Sequence, residues 1–133
     1  MTTIRKSIYL AASPAKVWSF LTKAEHLTKW FNAARSDLMH GQDYTLINPA
    51  GEPLCWGTVT EMTPNTRLAM TFTVAPLDGQ MTDVVWTLTE VPGGTKLELE
   101  HTGLPASEAG FGLVLALDKG WDTHLAGLRQ IAA

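Results

Sequence analysis

Residues 3–11 alternate polar and apolar side chains, with Ile4, Ile8 and Leu10 on one side, and a period of two predicts a strand. Ser13-Pro14 follows. Serine is a good helix N-cap and proline fits the first helical position, so a helix begins here, with Val17 and Leu21 one turn apart. A second short helix over about 25–31 sets Leu27, Trp30 and Phe31 at i, i+3 and i+4, one apolar face. From residue 33 to 102 the period returns to two. Strands are predicted near 33–39, 42–48, 53–62, 66–74, 82–91 and 94–102. Between them lie turn sequences: His40-Gly41, Asn48-Pro49-Ala50-Gly51, Thr63-Pro64-Asn65, Leu77-Asp78-Gly79 and Pro92-Gly93-Gly94. Such short separations predict antiparallel hairpins.

The later strands divide into two faces. Leu68, Met70, Phe72 and Val74 share one side, as do Val84, Trp86 and Leu88, and then Leu97, Leu99 and His101. Lys96, Glu98 and Glu100 point the other way, so one face is apolar and one is solvated. Residues 108–131 show helical periodicity, with Leu113, Val114, Leu117, Trp121, Leu125, Leu128 and Ile131 in one stripe. A helix of that length spans about 33 Å. Gly110, Gly112 and Gly120 each weaken it by about 1 kcal/mol if interior, so packing must hold it. The apolar sheet face is the surface available. The fold class is α+β: an antiparallel sheet of about seven strands, strongly curved round a long C-terminal helix, with two short helices after the first strand. The space between sheet and helix is the natural ligand site.

Composition supports one domain over residues 1–133. A mass of 14.5 kDa predicts about 6,900 Å² of folded surface against about 21,000 Å² unfolded, enough burial for one core. Charged residues make up 17%, below the ~25% of an average domain, and there are five tryptophans. The net charge of −3 comes without a basic stripe, which argues against nucleic-acid binding. The N-terminus lacks the apolar core of a signal peptide. The longest strongly apolar run, Phe111 to Leu117, falls far short of the ~20 residues of a membrane span. A soluble, cytoplasmic protein without membrane insertion is expected.

Chemistry is sparse. The histidines are His26, His40, His101 and His124, and neither HExxH nor paired-cysteine spacing occurs, so no metal is expected. His26 and His40 read as solvated. Cys55 is the single cysteine and reads as a small half-buried side chain rather than a nucleophile. Pro92-Gly93-Gly94-Thr95 joins two strands and is a hairpin turn, not a phosphate loop. His101 lies on the inner face. It is either a core-edge histidine bonded to a carbonyl near the Thr102-Gly103 turn, or a group that orients a ligand or moves a proton. Trp86 and Trp121 are the expected cavity liners, and Trp30 and Phe31 stand where they would close its mouth.

The stretches ASPAKVWSFLTKAEHLTKWF (12–31), GTVTEMTPNTRLAMTF (57–72), VVWTLTEVPGGTKLELEHTGLP (84–105) and GWDTHLAGL (120–128) resemble, in order, the START-like (SRPBCC) superfamily. The branch is that of the activator of the heat-shock-protein-90 ATPase. Pro64-Asn65-Thr66 stands where the family often has a diproline turn. The resemblance implies a helix-grip fold and binding or carriage of a small hydrophobic molecule. No cofactor is expected. The cavity candidates are Trp30, Phe31, Tyr44, Met70, Phe72, Trp86, Leu99, His101, Leu117, Trp121 and Leu125. Two other functions stay open. One is a cyclase or hydratase using His101 with Tyr44 as proton donor. The other is a co-chaperone-like interaction module, although the companion domain of the co-chaperone is absent here. A homodimer is also left open.

Overall fold

The computed structural model describes residues 1–132, so Ala133, the last residue of the expected 1–133 domain, lies outside the described residues. Strand β1 is Thr2–Leu10, followed by helices α1 (Pro14–Thr22) and α2 (Ala24–Trp30). Strands β2 (Ala33–Ala34), β3 (Asp43–Ile47), β4 (Pro53–Thr63), β5 (Arg67–Phe72), β6 (Thr82–Val91) and β7 (Gly94–Leu104) come next, and helix α3 (Phe111–Ile131) ends the chain. The strands form one antiparallel sheet in the order β1-β7-β6-β5-β4-β3-β2. This is the expected helix-grip architecture.

Local chemistry starts α1 as its sequence predicts. Ser13 Oγ accepts the Lys16 N–H at 3.2 Å, and Pro14 opens the helix. Helix α2 has no side-chain cap of its own. The Asp37 carboxylate reaches back across the chain and accepts the Ala24 N–H at 2.8 Å. That contact explains a departure from the sequence reading. The strand expected over 33–39 is only two residues long, because the chain leaves the ladder after Ala34. Asp37 caps α2, and the Leu38 N–H bonds Thr22 O at 2.8 Å at the end of α1, with Leu38 buried. Unsatisfied helix ends capture the segment before it can pair as a strand.

A second departure lies after β5. The strand expected to reach residue 74 stops at Phe72, and Ala75–Leu77 forms a 3-10 turn that buries Leu77. Pro76 has no N–H for a ladder and favours the turn. The turn ends with Asp78 at φ 51°, followed by Gly79 at φ 86°. Helix α3 begins at Phe111 rather than 108, after turns in which the Gly110 N–H meets Ser107 Oγ.

The parity of the strands holds. Leu68, Met70, Phe72, Val84, Trp86, Leu88, Leu97, Leu99 and His101 are all buried. Against them α3 buries Val114, Trp121, Leu125 and Leu128. Lys6 of β1 clamps the outer flank of the helix, with Nζ 2.7 Å from Asp118 and 2.9 Å from Asp122. One break in the sheet matters for the interior. A Cβ on Gly57 of β4 would sit 2.1 Å from Thr71 O, so glycine is required for the close approach. At this break the Tyr44 hydroxyl donates to Thr71 O at 2.6 Å, and the Thr58 N–H donates to Thr71 Oγ1 at 2.8 Å. Tyr44 thus completes the sheet.

Candidate functional site

The aromatic residues of the inner face converge on Trp121. Its ring centroid lies 5.4 Å from Phe31, 5.9 Å from Phe72, 5.6 Å from Trp86 and 6.0 Å from His101. Offset and edge contacts at these distances stabilise a cluster beyond the area it buries.

His101 sits beneath this cluster with 0% exposure. Trp121 Nε1–H donates to His101 Nδ1 at 3.1 Å. An imidazole whose Nδ1 accepts and which is neutral must carry its proton on Nε2. Nε2 lies 2.8 Å from Thr82 Oγ1 and donates to it, and the Thr82 hydroxyl in turn donates to Phe72 O at 2.6 Å. Each donor in this chain has an acceptor and each ring nitrogen is used. Burial lowers the pKa of His101 to about 4, which keeps the ring neutral. In the core-edge reading His101 was expected to bond a carbonyl near Gly103, and it bonds side chains instead. The Tyr44 hydroxyl is held by Thr71 O, and burial raises its pKa.

The interior is nearly full. Between sheet, α2 and α3 there is a void of about 20 Å³, bounded among others by Trp30, Phe31, Tyr44, Met70, Phe72, Trp86 and Trp121. That is space for about one water, and its walls are almost wholly apolar. The Trp30 indole N–H is already bonded to Phe20 O at 2.8 Å. A hydrophobic ligand does not fit inside this closed form. Leu99, His101 and Leu125 are packed core and border neither this void nor the groove described next.

The usable space lies just outside. A groove of about 260 Å³ opens to solvent between α3 and the adjoining parts of β4 and β5. Phe31, Phe72 and Trp121 form its floor and are at the same time walls of the inner void. Leu54 and Cys55 of β4 and Leu117 of α3 bound its sides, and Gly120 leaves room that a side chain would fill. Two polar side chains, Asn32 and His124, complete the rim, and among the described residues no Asp, Glu, Lys or Arg lines the groove. Cys55 is buried, and burial pushes its thiol up to about 12, so it is no thiolate at neutral pH. Other depressions lie elsewhere on the surface. One of about 330 Å³ on the outer sheet face is lined by Arg5, Arg67, Glu98 and Glu100, among which Arg5 already pairs with Glu100 at 3.1 Å.

Of the expected cavity residues, Phe31, Phe72, Leu117 and Trp121 face the groove. Leu54, Cys55, Asn32 and His124 were not among those candidates. The i, i+3 spacing of Trp121 and His124 was a usable signal, since it puts the histidine beside the apolar stripe. His26, expected in solvent, packs its ring 4.5 Å from that of Phe20 and has a buried Nδ1 without a partner among the described residues. Among the described residues no group of histidine, cysteine and carboxylates is arranged to hold a metal ion. No helix among them is long and apolar enough to cross a membrane.

The model of the Activator of Hsp90 ATPase homolog 1-like protein family matches residues 11–133. The chain belongs to that family. No curated protein matches it. Solved structures of family-like fold superpose over nearly the whole chain. A Mesorhizobium loti protein has a TM-score of 0.84 at 23% identity, covering 97% of this chain and 95% of its own. An HSP90 activator from Plasmodium falciparum has a TM-score of 0.83 at 22% identity, covering 98% and 96%. The Aha1 protein of Colwellia psychrerythraea, solved as a dimer, has a TM-score of 0.82 at 21% identity, covering 99% and 96%. These likenesses establish that this Hsp90-ATPase-activator-like chain has the helix-grip fold.

Proposed function

We propose that this protein binds a small, mainly apolar molecule in the groove between α3 and the β4–β5 side of the sheet, without catalysing its reaction. The observation that carries the reading is the groove's floor: the half-buried Phe31 ring beside the buried Phe72 and Trp121, with no charged side chain among the described residues that line it. A concave apolar surface with few polar groups is the usual form of a small-molecule site. At about 260 Å³ the groove is slightly below the ~300 Å³ lower bound of drug-sized pockets, so it suits a bicyclic aromatic or a short acyl chain with one end in water. Binding is favoured over catalysis because the two buried acid–base candidates are engaged: His101 at both nitrogens and Tyr44 by Thr71 O. The interaction-module reading gains little support from the outer face, where Arg5 and Arg67 pair with Glu100 and Glu61.

Titration of the protein with naphthalene and with short fatty acids, followed by tryptophan fluorescence and native mass spectrometry, tests this reading. Saturable one-to-one binding is expected, and a Gly120→Leu variant should lose it. Nothing lies within 4 Å of a Cβ built on Gly120, so leucine fills the groove without a clash. The helix itself should keep or gain stability, by up to about 1 kcal/mol. No saturation up to about 1 mM, or equal binding by the filled variant, would sink the proposal.

A further inference from the structure

His124 and His101 are both packed against Trp121, yet their proton arrangements are opposite. His124 Nδ1 lies 3.3 Å from the backbone oxygen of Trp30. A carbonyl oxygen only accepts, so this nitrogen carries the proton. The ring is half-buried, and burial lowers its pKa, so the neutral form dominates at neutral pH. A neutral imidazole with hydrogen on Nδ1 has a free lone pair on Nε2. Among the described residues that nitrogen has no hydrogen-bond partner, and it is not sealed from solvent. The ring itself is held edge-on against Phe31, centroids 4.7 Å apart, and stands 6.4 Å from Trp121. With Nδ1 turned to Trp30, Nε2 is the ring nitrogen left over on a residue that lines the groove.

We propose that His124 is the specificity-determining acceptor of the groove, and that the ligand is a neutral aromatic bearing a hydroxyl group, whose O–H donates to His124 Nε2 while its ring lies on Phe31 and Trp121. This deepens the binding reading and rests on it. Among the described residues no Lys or Arg lines the groove, so a carboxylate or phosphate there is uncompensated, which turns the selection towards an uncharged donor. Asn32, whose carboxamide stands on the same rim, is placed to serve the oxygen of the bound hydroxyl. A ligand that lacks the donor leaves Nε2 stripped of water and unpaired, and that is where discrimination arises.

The test compares 2-naphthol, naphthalene and 2-methoxynaphthalene by isothermal titration at pH 7.5, on the wild type and on His124→Phe. The methyl ether keeps the oxygen and removes the donor. Wild type should bind 2-naphthol about tenfold more tightly than either analogue. His124→Phe should bind all three alike, at the wild-type affinity for naphthalene, with a cooperative thermal transition retained. Equal wild-type affinity for naphthol and its methyl ether overturns the proposal while leaving the binding reading intact. So does a preference that survives in His124→Phe. No binding of any of the three overturns both.

Discussion

The two histidines beside Trp121 sit in regions built on opposite principles. Around His101 every polar atom is matched: indole to Nδ1, Nε2 to Thr82, Thr82 to the Phe72 carbonyl. Around His124 one nitrogen is spent on Trp30 and the other is left over, at the edge of a groove. A saturated chain in a dry core fixes geometry, because any break leaves a buried donor or acceptor unpaired. An unsaturated one at a wet rim is free to take a ligand. Exposure and the number of unused lone pairs, not residue type, separate the two histidines here.

The largest effect should come from the residue both regions share. Trp121→Ala removes the hub of the aromatic cluster and strips His101 Nδ1 of its donor, and about 4 kcal/mol of stability should be lost in urea unfolding. A loss below about 1 kcal/mol would mean that the sealed region is not a packed unit.

Acid should separate the two regions next. His101 has its folded pKa lowered from 6.5 to about 4. Between those values the unfolded chain binds a proton that the native chain does not, so stability is complete above pH 6.5 and falls as pH drops towards 4. The loss should total about 3 kcal/mol, seen as a falling urea midpoint, and His101→Leu should flatten that slope. His124, half-buried and lowered in the same direction, adds a smaller part of the same sign. An unchanged slope in His101→Leu would place the titrating group elsewhere.

The smallest effect on stability, and the most local, should come from Phe31→Ala. Phe31 is only half-buried, so its loss should cost about 1 kcal/mol. Affinity for naphthalene in the groove should fall about tenfold, since the floor and the rest for the His124 ring go together. Retained affinity would move the ligand off this floor.

Much of this was legible along the chain. The alternation at 68–72, 84–88 and 97–101 named the buried face, and Ser13-Pro14 set the start of α1. The stretch 33–39 misled because its pattern permits a strand, and only the open ends of α1 and α2 explain where Asp37 and Leu38 go. The site was half legible. Phe31, Phe72, Leu117 and Trp121 followed from periodicity, whereas Leu54, Cys55 and Asn32 enter the groove only because α3 crosses the sheet beside them. His101 drew attention for its parity, but parity cannot report that both nitrogens are occupied.

By itself, then, the sequence determined the element types, the inner and outer faces, and a helix too apolar and too glycine-rich to stand without the sheet. Those depend on neighbours a few residues away and on a period that is read directly. The tertiary structure decided how tightly helix and sheet close, leaving one water's space inside and a groove outside, and which tautomers His101 and His124 take. Those depend on atoms from distant segments meeting within about 3 Å, a distance at which hydrogen bonds are made or left open.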